Sequence, residues 1–456
     1  MGLRAKLYRL WSGKRKKGLS PTQIIAITFA AIIVTGALLL MLPIASRSGE
    51  SCGALPALFT ATSATCVTGL VMYDTWTQWS GFGQIVILCM IEIGGLGFMS
   101  AASLFVFMLR KKVGLKQRMI MAQALSVSDM DSIVKLQKYV LCGSLGIQLT
   151  GALILFCRFI MDHGWLQAAK WSIFHAVSAF CNAGFDIFGN GNSLIDLNGD
   201  PVVLLTLGAL VVLGGLGFFV WEEIVRLHSW KKFSVYTKLV LAMTCVLLLG
   251  GSVTFCLLEW NNPATLGALS TGDKLINGVF QSITVRTADF AAIDQAGLTE
   301  AGKAVTILLM LVGGASGSTA GGIKIVTLVV LLLFLWSRLR GRSTVCVFKR
   351  TIPTNQVTDA MTIVSVVAGL ALFGGIFICA TSPVGFTDAL YEAVSALATV
   401  GLTANVTPLL SVSAKLLIIL YMYFGRVGVL TLSLGFLMGN KAEERYKYAN
   451  TNLLIG

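Results

Sequence analysis

Apolar runs of about 20 residues recur along the whole chain in pairs, and between the members of each pair stands an apolar piece about half as long. No other feature restricts the fold so strongly. In hydrocarbon every backbone N–H and C=O must be satisfied within the protein, so the full-length runs must be helices. A piece of about ten residues cannot cross a bilayer as a helix, which takes about 20. Such a piece is tolerated at membrane depth only where it lines water or is buried in protein. Composition agrees: hydrophobic residues make up 55% of 456 and charged residues 12%, and mean hydropathy is +0.81. A soluble domain carries about twice that charge. The expected fold class is an all-α polytopic membrane protein. Seven basic residues crowd the first 17 positions, but the span that follows, about 21–45, is too long for a cleavable signal.

The formal charge of +14 does not mark a nucleic-acid binder, because of where the bases lie. Lys and Arg cluster at 4–17, 110–118 (with Lys135 and Lys138 following), 226–238, 338–350 and 441–447. The segments between carry few bases and several acids. This positive-inside pattern places every cluster and both termini in the cytoplasm of a multi-pass protein of the cell membrane. It also offers a basic surface to anionic membrane lipid or an acidic partner. The ten cysteines lack metal-ligand spacing and read as apolar fillers, and His163, His175 and His228 form neither a zinc set nor a triad.

The pairs of spans form four units at a period of about 110 residues, which is a signature of internal repetition. First spans are expected at 21–45, 138–160, 236–258 and 358–381, and second spans at 82–110, 201–227, 302–337 and 411–437, eight crossings in all. The units cover 21–110, 138–227, 236–340 and 358–437, with cytoplasmic tails at 1–20 and 438–456. The half-length pieces read FTATSATCVTGL, FHAVSAFCNAGF, FQSITVRTADF and YEAVSALATVGL. Each starts on an aromatic and runs through small residues. Three end on Gly69, Gly184 and Gly401 followed by Leu or Phe; the third is one residue shorter and carries Asp289 instead.

A half-helix entering from outside points its carboxyl end at the membrane centre, where its roughly half negative charge favours a cation. The chain that climbs back can replace an ion's water shell with backbone carbonyls. Glycine lets those carbonyls turn by allowing φ > 0. Four such loops around one axis make a carbonyl ring, with candidate residues Thr65, Cys66, Val67, Thr68 and Gly69; Cys181, Asn182, Ala183 and Gly184; Arg286, Thr287, Ala288 and Asp289; and Ala398, Thr399, Val400 and Gly401. Asp289 is expected to turn back behind the ring or to pair with Arg286. Asp74 and Asp186 follow the first two loops on the outside, either concentrating cations or as solvated surface acids.

The second spans align on glycine-rich centres: IEIGGLGF, VLGGLGFF, LVGGASGSTAGGIKI and YFGRVGVL. In three, a helix bends or approaches a neighbour closely. The third cannot hold a helix through Gly313, Gly314, Ala315, Ser316, Gly317, Ser318, Thr319, Ala320, Gly321 and Gly322. It lacks the Gly-x4-Gly-Lys-Ser/Thr of a phosphate loop and no strand precedes it, so it reads as a flexible plug beneath a pore. Lys324 closes it, facing the pore or the cytoplasm. Arg426 lies mid-span opposite, where an unpaired arginine costs about 3 kcal/mol or more. It meets the plug's carbonyls or bars cations, or else pairs with Glu92 of the first unit. No paired catalytic groups stand at one depth, which excludes an intramembrane enzyme.

On these segments the chain resembles the Trk/Ktr/HKT superfamily of potassium transporters. ATSATCVTGL, VSAFCNAGF, VRTA-F and VSALATVGL look like its pore loops, GGASGSTAGGIK like its gate loop and FGRVG like its last-span arginine, over about 21–440. With eight crossings it is most similar to the Ktr membrane subunit. The resemblance implies a selectivity filter at Gly69, Gly184 and Gly401, a gate loop at 313–322 and an opposing Arg426. It implies potassium uptake, often sodium-stimulated, with potassium as cargo, sodium as activator and no tightly bound cofactor. It also implies a homodimer with one pore per subunit, above a cytosolic ring of nucleotide-binding (RCK/KTN-type) regulatory subunits. Gly69, where sodium-preferring plant relatives have serine, argues for potassium. Asp289, where the family has glycine, argues for a sodium-preferring or poorly selective pore as the alternative.

Overall fold

In a computed structural model of the chain, residues 21–97, 133–189 and 191–428 are described. The expected basic clusters at 4–17, 110–118 and 441–447, both tails, and the inner ends of the first and last second spans lie outside the described residues.

One order of elements occurs four times among the described residues: a long helix, a half-length helix, a short extended climb and a second helix, which in the second and third units is interrupted near its middle. The long helices are α1 (Pro21–Leu40), α4 (Ile133–Phe159), α8 (Val235–Glu259) and α12 (Thr354–Thr381). They have 20, 27, 25 and 28 residues, enough to cross a bilayer. Only 28–33% of each apolar stretch is buried in protein. The rest presents side chains such as Leu149, Leu249, Leu257 and Phe373 outward, which suits a lipid solvent and not water.

The half-length helices are α2 (Ala54–Cys66), α5 (Trp165–Cys181), α9 (Thr271–Thr284) and α13 (Phe386–Leu397). At 12 to 17 residues they are too short to cross. Each packs along the long helix of its own unit.

Every second span opens on a side-chain cap, worth about 1 kcal/mol apiece. Ser80 accepts from Gly83 N, Asp200 from Val202 N and Val203 N, Thr299 from Gly302 N and Ser411 from Ala414 N. The spans are α3 (Gly81–Leu96), α6 and α7 (Pro201–Leu216, Phe218–Leu227), α10 and α11 (Glu300–Met310, Ile325–Leu339), and α14 (Val412–Val427). α3, α6 and α14 stop at Gly97, Gly217 and Gly428, whose φ values of 83°, 91° and 93° only glycine adopts without strain. After Gly217 the chain resumes at 94° in α7, so the expected bend is a sharp break. The glycines just before these stops let the spans close on the half-helices. A Cβ on Gly94, Gly214 or Gly425 would stand 2.0, 2.0 or 2.2 Å from the carbonyl oxygens of Thr65, Phe180 and Leu397.

The third second span opens over 311–324 into a loop, its mouth held by Gly313 N to Ile323 O (3.0 Å) and Ile323 N to Leu311 O (3.1 Å). Between α11 and α12 lies a small hairpin, Cys346–Val347 against Arg350–Thr351, whose turn residues Phe348 and Lys349 have φ 44° and 62°.

Candidate ion pathway

All four half-helices end the same way. Val67, Asn182, Thr287 and Thr399 take left-handed backbone (φ 56°, 59°, 73° and 51°). Two residues later Gly69, Gly184, Asp289 and Gly401 do so again (φ 103°, 63°, 68° and 97°). The residue between them turns its N–H back to the helix. Thr68 N reaches Ser63 O at 2.9 Å, Ala183 N reaches Ser178 O at 2.8 Å, Ala288 N reaches Thr284 O at 3.0 Å and Val400 N reaches Ser395 O at 2.8 Å. The third loop attains this geometry although its accepting residue is one position nearer.

The hydroxyls of those four accepting residues clamp the climbing chain. Ser63 and Ser395 accept from Gly69 N and Gly401 N, both at 3.0 Å. Ser178 and Thr284 instead donate to Phe185 O and Phe290 O, both at 2.7 Å. Sequence reasoning missed these four residues. The signal was present in the repeated segments: a Ser or Thr stands five or six residues before each of Gly69, Gly184, Asp289 and Gly401.

The loops converge on the Asp289 side chain. A Cβ on Gly69 would lie 1.7 Å from Asp289 Oδ2, one on Gly184 2.0 Å from Asp289 Cβ, and one on Gly401 2.3 Å from Asp289 Cγ. The carboxylate therefore occupies the centre of the ring. This corrects the expectation that it turns behind the ring or pairs with Arg286. Arg286 points the other way, with Nη2 donating to Gly313 O (3.4 Å) at the start of the plug loop.

Above the ring lies a cavity of about 460 Å³ lined by residues of all four units. Asp74, Asp186, Asp289 and Asp294 all contribute to its wall. Asp74 also accepts from Thr77 N and Gly191 N, and Asp186 from Phe188 N, so neither is a free surface acid. The hydroxyls of Thr65, Thr68 and Thr399 are buried with no protein partner, which fits a site that exchanges protein ligands with a dehydrating cation. Cys66, Cys181, Ala183, Ala288, Ala398 and Val400 are fully buried and complete the loops.

Beneath the ring the loop 313–322 is tied to the second and fourth units and, through Arg426, to the first. Ala315 N and Thr319 N donate to Gly215 O and Gly214 O, and Phe218 N donates to Gly317 O. Thr319 Oγ1 donates to Phe180 O at the end of α5, and Tyr236 to Ser316 O. Gly321 lies under the fourth filter loop, where a Cβ would be 1.9 Å from Thr399 Oγ1. Arg426 donates to Thr319 O in this loop and to Gly94 O and Gly95 O of α3. It therefore meets the plug's carbonyls and does not pair with Glu92, which accepts from Gln148 Nε2 and Cys181 Sγ. Lys324 faces neither pore nor cytoplasm freely: its Nζ turns back to Ala320 O at 2.7 Å. Ser316, Ser318 and Gly322 complete the loop, with Ser318 Oγ donating to Ala315 O.

Four half-helices whose following loops converge, an acidic cavity above them and a non-helical loop below are what a pore-loop membrane protein for cations requires. Comparison with known proteins specifies it further. The family model for TrkH, a cation transport protein, matches residues 13–445. The chain is 41% identical over 446 residues to the potassium/sodium uptake protein NtpJ of Enterococcus hirae, covering 97% of this chain and 98% of that one. It is also 41% identical over 428 residues to Ktr system potassium uptake protein B of Bacillus subtilis, covering 94% and 95%. The crystal structure of the potassium transporter TrkH from Vibrio parahaemolyticus superposes with a TM-score of 0.71 at 16% identity, over 92% of this chain and 86% of that one. The chain belongs to the TrkH family of cation transport proteins; it is a multi-pass transporter and not an enzyme.

Proposed function

We propose that this chain is the ion-conducting membrane subunit of a potassium-uptake system of the Ktr type. The observation that carries the reading is the convergence of Gly69, Gly184, Asp289 and Gly401 at the floor of the outer cavity, directly above a plug held by Arg426. Potassium sheds water at the ring and is coordinated by loop carbonyls, with the four half-helix carboxyl ends stabilising its charge. The loop 313–322 forms the barrier below. A relative named for potassium/sodium uptake supports the cargo; stimulation by sodium is part of the same proposal. Membership of a named Ktr system in the relatives supports a cytosolic regulatory partner; a nucleotide-binding ring of such partners, a homodimer of this chain and membrane lipid around it are part of the same proposal. The test is rubidium uptake into proteoliposomes: accumulation against a sodium background is expected, and absence of rubidium flux from folded protein overturns the reading.

A second reading is favoured by one observation. Asp289 places a carboxyl group where the other loops place none, which suits a poorly selective or sodium-preferring pore. Equal competition by sodium in the same assay decides for it.

The proposed orientation, with both termini cytoplasmic, puts the 341–353 hairpin inside. Cys346 is exposed there, and hydrogen bonds from the hydroxyls of Thr351 and Thr344 push its thiol pKa down. A chain retaining only Cys346 should react with a charged maleimide from the cytoplasmic side, and at lower pH than an ordinary thiol because its thiolate persists there. Labelling from the outside of sealed cells reverses the orientation.

A further inference from the structure

The half-helix segments align a second position that neither the filter nor the gate uses. Three residues before the clamp hydroxyl stand Thr60, His175, Gln281 and Glu392. The last three are fully buried, and each reaches the chain that leaves the filter on its outward course. His175 Nδ1 lies 2.6 Å from Trp171 O, so it is the donor there, and Nε2 accepts from Ile187 N at 3.2 Å. Gln281 and Gln295 exchange two amide bonds, at 2.7 and 3.2 Å. Glu392 accepts from Thr403 Oγ1 at 2.7 Å and from Thr407 Oγ1. Tyr391, next to Glu392, donates to Gln295 Oε1 at 3.0 Å, which links the third and fourth units.

Three different side chains thus make one kind of contact at one aligned position. A common stabilising role does not require that coincidence, since buried polar groups need only some partner. The filter chain is already pinned at its inner end by the left-handed turn and at the position of Gly69, Gly184, Asp289 and Gly401, or one residue beyond, by the clamp hydroxyl. These contacts pin its outer end. We infer that His175, Gln281 and Glu392 are positioning residues that brace the outer end of the selectivity filter and so set its preference among monovalent cations. This rests on the filter reading above. A carbonyl ring tells one cation from another by the number and placement of its ligands, and a slack outer end lets the ring adapt to the smaller ion. Glu392 should matter most, because it holds two points on the climbing chain and has no alternative partner in the pair.

The test is the ratio of rubidium to sodium uptake in proteoliposomes at matched amounts of folded protein. Glu392→Ala should lower the ratio about fivefold or more, the effect of losing bonds of this kind. Thr407→Val, which removes one bond from the other side, should lower it less. Glu392→Gln should hold within about twofold of the parent, because threonine hydroxyls accept as readily as they donate. A role in folding alone would leave the ratio unmoved; that result overturns the brace. So does failure of both Glu392→Ala and Thr407→Val to reach the membrane, which would assign the bonds to folding. A parent that transports neither ion sinks the transport reading, and the brace with it, whereas a transporting parent with an unmoved ratio in Glu392→Ala sinks the brace alone.

Discussion

The third unit departs from the other three at two depths. The loop after its half-helix carries Asp289 where the others carry glycine, and its second span opens into the loop 311–324, where that of the second unit breaks at Gly217 alone and the described parts of the first and fourth end at Gly97 and Gly428. The filter difference separates two jobs that glycine usually does together. One is to accept left-handed backbone; the other is to leave the space in front of it empty. Asp289 does the first, with φ 68° against 63° for Gly184, because aspartate tolerates that region. It fails the second, because a Cβ on this backbone points to the axis. The three glycines prove the direction: each, given a Cβ, would strike Asp289.

The largest expected effect is therefore that of Asp289→Gly. Restoring the empty centre removes a side-chain ligand that obstructs the ring and slows release of a cation. Rubidium uptake should rise by about tenfold or more, which corresponds to about 1.4 kcal/mol of barrier. Sodium should compete less well. Equal rates and equal sodium competition in the two chains, at matched expression, would show that the third loop differs from the others only in name.

Gly69→Ser sharpens the same separation. In the parent its Cβ meets Asp289 within 1.7 Å, so both jobs of the glycine are compromised at once. In the Asp289→Gly background that obstacle is gone, and only the left-handed cost of about 1–2 kcal/mol remains. Selectivity for rubidium over sodium should then fall about 5- to 30-fold. Gly401→Ser, at φ 97°, should lose more, because its Cβ would also stand 2.0 Å from Thr68 O, a backbone atom that the Asp289→Gly background leaves in place. Unchanged selectivity in both would remove these positions from the filter.

The plug gives the second contrast. Arg426 joins its carbonyls to α3, so a single side chain from the fourth unit bridges the third and the first. Arg426→Ala should raise flux about two- to fivefold by freeing the loop and by removing a charge that opposes cations in a low-dielectric path. Deleting Ala315 to Ala320 should act in the same direction and weaken dependence on the regulatory partner. A deletion that folds yet conducts less than the parent would show that the loop is not a barrier.

The repeat, the half-helices and the glycine breaks were legible because periodicity and composition alone force them. Arg426 on the plug was legible as one of two outcomes, since a mid-span arginine must find carbonyls or an acid. The direction of Asp289 was not. It depends on how four loops, about 110 residues apart, converge, and local reasoning about a buried charge favoured a nearby Arg286. Arg286 is instead drawn to Gly313 O. The clamp hydroxyls lay in plain view in the aligned segments. Their bonding mode did not, because a hydroxyl both donates and accepts, and the sequence does not say which.

That bonding mode sets the smallest of these effects. In loops one and four, Ser63 and Ser395 hold an amide N–H; in loops two and three, Ser178 and Thr284 hold a carbonyl. Ser395→Ala leaves the buried Gly401 N–H with nothing to bind, and an orphaned donor costs about 1–3 kcal/mol. Ser178→Ala leaves Phe185 O, an acceptor with a second lone pair beside the outer cavity, where water can replace the hydroxyl. The loss there should be about 0.5–1.5 kcal/mol, that of an ordinary hydrogen bond. Thermal unfolding in detergent should thus show a larger fall in midpoint for Ser395→Ala than for Ser178→Ala, with Ser63→Ala near the former and Thr284→Val near the latter. If the four variants fall by one amount, the hydroxyls are interchangeable and the loops differ at Asp289 alone.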